Sequence, residues 1–127
     1  MNDLMNFDFK GNQVRTVKIN DEPYFVGKDV AEILGYKNPQ KALRDHVDDE
    51  DKTSALIQGS GSNYKSKTIL INESGLYSLI LSSKQPQAKE FKRWVTHEVL
   101  PSIRKHGAYM TDQKAEQIFF KLFPKIY

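Results

Sequence analysis

The stretch GYKNPQKALRDHV, residues 35–47, constrains this fold more than any other, because it ends one helix and starts another within a few residues. Upstream, KDVAEILGY places Val30, Ile33 and Leu34 on one face at helical spacing. Asp29 falls in the first turn, where a negative charge complements the helix dipole, and Gly35 supplies the stop. Asn38 then stands where an N-cap belongs, and Pro39 falls at the first helical position, where a missing N–H costs nothing. In the helix that follows, Leu43 and Val47 lie one turn apart and face inward, which turns Gln40, Lys41 and Arg44 toward solvent. Two short helices joined by a Gly-containing turn form a helix-turn-helix outline, which many small domains share.

Strand signals flank this pair. In VRTVKINDEPYFV the apolar Val14, Val17 and Ile19 and the run Tyr24 to Val26 surround the turn formers Asn20, Asp21 and Pro23, predicting a β-hairpin. A second hairpin is predicted from TSALI and KTILI, joined by QGSGSNYKS, with Lys65 and Lys67 near its tip. Asn72 caps the next helix, ESGLYSLILSS, which carries Leu76, Leu79 and Ile80 inward. The longest helix starts near Pro86 and buries Phe91, Trp94, Val95 and Val99, leaving Lys89, Lys92, Arg93 and Thr96 on the other side. Pro101 lacks the amide for a bond to residue 97, so a kink or restart is expected before the helix ends at Gly107.

The chain has 127 residues, enough for one domain with a single core. Residues 1–110 are read as that domain, and 111–127 as a tail or linker, helical or disordered. No apolar run is long enough to cross a bilayer, and MNDLMNFDFK lacks the build of a signal peptide, so a soluble, cytoplasmic protein with no membrane partner is expected. Cysteine is absent, which excludes disulfides, thiolate nucleophiles and cysteine-based metal sites. Net charge is +3, yet its distribution is uneven: residues 84–106 carry six Lys or Arg against two Glu, while residues 48–52, DDEDK, carry four acids.

Catalytic signatures are missing. Histidines at 46, 97 and 106 have no i, i+4 spacing for zinc, and Pro101 stands where a zincin motif would need its second His. Gly59-Ser60-Gly61-Ser62 fits a hairpin tip better than a phosphate-binding loop, and there is no Gly-x-Ser-x-Gly elbow. The acids at 48–51 lack the alternating spacing and Gly of a calcium loop. A non-enzyme without cofactor or metal is the expectation.

The segments FVGKDVAEILGY, ALRDHVDDEDK, ILINESGLYSLILSSK and AKEFKRWVTHEVLPSIRKHG, in this order, resemble the Bro-N domain of phage and prophage antirepressors and baculovirus repeated-ORF proteins. The resemblance runs from about Phe25 to Gly107. It implies a small α+β domain with two hairpins, about four helices and a winged helix-turn-helix-like element, acting in the bacterial host of a phage or prophage. Within that family the domain is described as DNA-binding, often followed by a second domain, which this chain does not show after Tyr127.

On this reading double-stranded DNA is the expected partner. Asn38, Gln40, Lys41 and Arg44 on the second helix, Lys65 and Lys67 on the second hairpin, and Lys89, Lys92 and Arg93 on the long helix are the expected contacts, with Gln40 or Arg44 reaching a base edge. Against this stand Asp45 and the acidic run directly after the proposed reading helix, which repel phosphate unless they point away. The alternative is a module that captures a phage repressor protein without touching DNA, using the acidic turn and the aromatic tail Phe119, Phe120 and Phe123. A homodimer is compatible with either. For each cation taken singly, a solvated helix face is the plainer explanation.

Overall fold

The computed structural model describes residues 4–58 and 65–105, without the side chains of residues 58 and 65. Five strands form one antiparallel sheet in the order β1-β2-β3-β5-β4, where β1 is Leu4–Phe9, β2 Asn12–Ile19, β3 Glu22–Val26, β4 Lys52–Gln58 and β5 Lys65–Ile71. The helices are α1 (Gly27–Ile33), α2 (Pro39–His46), α3 (Glu73–Ser82) and the stretch from α4 (Gln87–Trp94) into α5 (Leu100–Lys105). This is the expected α+β class with four helices.

Both tight turns of the β1-β2-β3 meander use two residues at positive φ. Asn20 (51°) and Asp21 (65°) join β2 to β3, and Lys10 (52°) and Gly11 (86°) join β1 to β2. That geometry matches the right-handed twist of the flanking strands. β1 is an addition to the expected two hairpins. Its alternation turns Met5, Phe7 and Phe9 toward the core, where Phe9 meets Phe91 edge-on at 5.2 Å and Trp94 at 5.1 Å.

The helix starts are as read. Asn38 Oδ1 accepts from Lys41 N at 3.1 Å, and Asn72 Oδ1 accepts from Gly75 N at 2.9 Å. Leu76, Leu79, Phe91, Val95 and Val99 are fully buried in the principal core, and Trp94 packs half-buried against it. The break forced by Pro101 takes the form of a π turn over Val95–Val99, in which Leu100 N donates to Val95 O five residues back. The proline's missing donor is thus absorbed by a widened turn before α5 resumes.

The expected wing is the tip of the β4-β5 hairpin, residues 59–64, which lies outside the described residues, as does the tail from residue 106.

Candidate nucleic-acid interface

β5 runs on past the end of β3. Their ladder consists of Phe25↔Ile71 and Val26↔Leu70, whereas β4 pairs with β5 from Lys65 to Ile71. At Gly27 the chain leaves the sheet and turns into α1, so among the described residues no strand lies beside the β3-facing edge of β5 toward Lys67. In place of a strand lies a groove of about 620 Å³, walled by Ser66 to Ile69 of β5 on one side and by the starts of α1 and α2 on the other.

Local chemistry fixes both helical walls. Gly35, at φ +84°, ends α1 and packs against Gln85. Ser83 Oγ donates to Leu34 O at 2.8 Å and Gln87 Nε2 donates to Ile33 O at 2.5 Å, so the α3–α4 connection satisfies the carbonyls at the end of α1. Tyr36 donates its hydroxyl to Leu79 O at 2.8 Å and stacks, tilted, on His46 at 5.5 Å. This anchors the chain one residue before Lys37.

The groove is lined by the exposed Lys28, Lys37 and Lys67, by Arg15, and by polar Asn38, Gln40, Ser66 and Thr68. Among the described residues, no Asp or Glu lines it. Two carboxylates of α1 act on Arg15: Glu32 is exposed, and Asp29 is buried and occupied, with Arg15 donating to it from Nε and Nη2, each at 2.9 Å, and from its backbone N at 3.0 Å. That bonding raises the Arg15 pKa further above its ordinary value, against the opposing effect of burial.

Of the residues expected from sequence, the structure gathers Asn38, Gln40 and Lys67 in this groove. Lys41 and Arg44 are exposed on α2 but do not line it, and Lys41 is paired with Asp45 at 2.8 Å. The hydrogen bond from Lys41 holds the Asp45 carboxyl below its ordinary pKa. The acidic run also stays clear: Asp49 pairs with Lys52 at 3.3 Å, and Asp51 Oδ1 accepts from Asn72 Nδ2 at 3.1 Å. Lys89, Lys92 and Arg93 border a separate shallow depression on α4, together with Thr96 and His97, and share no lining residue with the groove. Glu90 beside them is ion-paired with Lys10. The side chain of Lys65 and all of Phe119, Phe120 and Phe123 lie outside the described residues.

Sequence reasoning missed Arg15, Lys28 and Lys37. The available signal was Lys37 itself, one residue before the Asn38 cap and so bound to sit at the mouth of α2.

The family model for the BRO family, N-terminal domain, matches residues 13–101. This chain belongs to the Bro-N family. Relatives include a putative Bro-N domain-containing protein, 289L, of Invertebrate iridescent virus 6, 41% identical over 81% of this chain and 28% of its own length. An uncharacterized protein of Haemophilus influenzae is 41% identical over 81% of this chain and 51% of its own. An uncharacterized Bro-N domain-containing protein, ORF2, of Autographa californica nuclear polyhedrosis virus is 34% identical over 77% of this chain and 36% of its own. The chain spans 28% to 34% of three of the viral relatives, so it corresponds to the Bro-N portion of such proteins. No solved structure matches. The groove residues Arg15, Lys28, Lys37, Asn38, Gln40 and Lys67 all fall inside the Bro-N match, whereas β1 precedes it. Among the described residues, no helix is long and apolar enough to cross a membrane.

Proposed function

We propose that this Bro-N chain is a DNA-binding regulatory module of a phage or viral protein, with the groove between α1, α2 and β5 as the seat of the phosphate backbone. The lining of that groove carries the reading: three exposed lysines, a set of neutral hydrogen-bonding side chains and, among the described residues, no carboxylate. Backbone phosphates ask for that combination, since cations supply affinity and neutral donors fix register. Gln40, in the first turn of α2, is placed at the rim where an amide can reach an adenine edge. Of the acids that argued against DNA in the sequence, Asp45, Asp49 and Asp51 have partners outside the groove lining, and the exposed Asp48 and Glu50 do not line it. The family resemblance supports an antirepressor role for the protein.

The test is charge reversal inside the groove. Lys37→Glu with Lys67→Glu should abolish binding to a random-sequence duplex at low salt, measured by fluorescence anisotropy, while circular dichroism stays that of the parent. Undiminished binding removes the groove from the proposal.

Repressor capture is favoured by one observation. Leu56 is 67% exposed and Ile69 40% exposed, and the register, with Ser54 opposite Ile69, sets them diagonally on one face of the β4-β5 hairpin. An apolar pair of that kind suits a protein partner. Leu56→Ser should then weaken repressor pull-down and leave duplex binding unchanged.

A further inference from the structure

We infer that Arg15 is a pre-oriented phosphate-binding residue of the groove, and that Asp29 is its positioning residue. This rests on the reading of the groove as a DNA site and names the group in it that makes directional contact. Arg15 comes from the middle of β2, its side chain retains 21% exposure, and it is among the groove's lining residues. Two of its five N–H donors, one on Nε and one on Nη2, are held by the two oxygens of Asp29. Three remain. They are fixed in plane by the bidentate pair, which is the geometry that matches two oxygens of one phosphate.

A partly buried ion pair is weak evidence for stability, because desolvation of both charges offsets their attraction. Its consequence here is orientation. The Arg15 side chain has already lost its rotamer freedom in the free protein, so docking a phosphate does not order it again. Asp29 is only 9% exposed and its carboxylate already accepts three hydrogen bonds, so it holds the fork without presenting its own charge to the ligand. The pair adds no net charge to the groove; it contributes hydrogen bonds of fixed direction beside Lys28, Lys37 and Lys67, which supply the field.

The decisive variant is the double substitution Arg15→Met with Asp29→Leu, which replaces the pair by apolar side chains and leaves net charge unchanged. Its thermal midpoint should fall, because the Arg15 backbone N–H loses its acceptor on Asp29. At a temperature where it is folded, it should retain the parental salt dependence and yet bind random-sequence duplex roughly tenfold or more weakly, the loss expected for charge-assisted hydrogen bonds. A structural role alone would move the midpoint and not the affinity. Parental affinity in a folded double variant overturns the inference while leaving the groove as a DNA site. Should that variant not fold, Arg15→Lys decides, since it keeps the charge and loses the fork: about tenfold weaker binding supports the inference and parental binding overturns it. If the parent chain binds no duplex at all, the DNA reading fails and this inference fails with it.

Discussion

Gly27 and Leu43 are in closest-approach contact: a Cβ built on Gly27 would lie 2.7 Å from Leu43 Cδ2 and 2.9 Å from Cδ1. The first residue of α1 is therefore pressed on the middle of α2, and this contact sets how far apart the two helical walls of the groove stand. Leu43 is 3% exposed and has little room to retreat. Gly27→Ala should destabilise the chain by about 1–3 kcal/mol in urea unfolding, as over-packing does. It should also weaken duplex binding, because Lys28 and Gln40 shift relative to each other. Parental stability would mean that Leu43 repacks freely and that the contact does not set the spacing.

The α4 cations offer a contrast to the groove. Lys92→Glu with Arg93→Glu reverses two charges in a patch that shares no lining residue with it. Duplex affinity should fall by no more than the long-range charge change dictates, and the loss should shrink as salt rises past the Debye screening range of about 10 Å at 0.1 M. A loss as complete as that of the Lys37 and Lys67 reversal would make α4 part of the DNA surface.

What was legible in the sequence was local. Asn38 and Asn72 announce helix starts because a cap needs only its own next three residues, and Pro101 announces a break because its missing donor is a property of one residue. Whether the break becomes a kink or a π turn depends on packing of Val95 and Val99 in the core, and was not legible. β1 was missed although Met5, Phe7 and Phe9 alternate ahead of a Lys10-Gly11 turn, a strand signal overlooked at a chain end. The groove was hidden for a different reason. Arg15, Lys28, Lys37 and Lys67 come from four separate segments, and they meet only because β3 stops at Val26 while β5 continues. Nothing local in the sequence marks Arg15, because the carboxylate that holds it, Asp29, lies 14 residues away on α1.

Stability and binding should separate at Asn72. Its side chain caps α3 and bonds Asp51, and its backbone N donates to Asp51 O at 3.0 Å, all away from the groove. Asn72→Ala should cost about 1 kcal/mol in urea unfolding, the ordinary worth of an N-cap. Duplex affinity of the folded variant should stay parental. A matching drop in affinity at a temperature where the variant is folded would link α3 to the site.

Alkaline pH should unfold the chain earlier than neutral-range behaviour suggests. Tyr24, Tyr36 and Tyr77 all titrate above the ordinary 10.0, each chiefly because burial disfavours the phenolate. A group whose folded pKa is raised contributes its stability fully below the unfolded pKa and loses it as pH rises through the folded one. Stability to urea should therefore be level from pH 7 to 9 and decline from about pH 10 upward. Tyr36→Phe should flatten part of that decline, and an equally steep decline in the variant would remove Tyr36 from the explanation.

The salt dependence of duplex binding by the unmodified chain bears most directly on the DNA-binding groove. Three free lysines contacting three phosphates give a log–log slope of about −2.7, from roughly 0.9 per contact. A titration of random-sequence duplex at several salt concentrations should return that slope, and the Lys37 and Lys67 reversal should leave no measurable binding. Absence of binding at the lowest salt, or binding whose affinity does not change with salt, would contradict the DNA-binding groove.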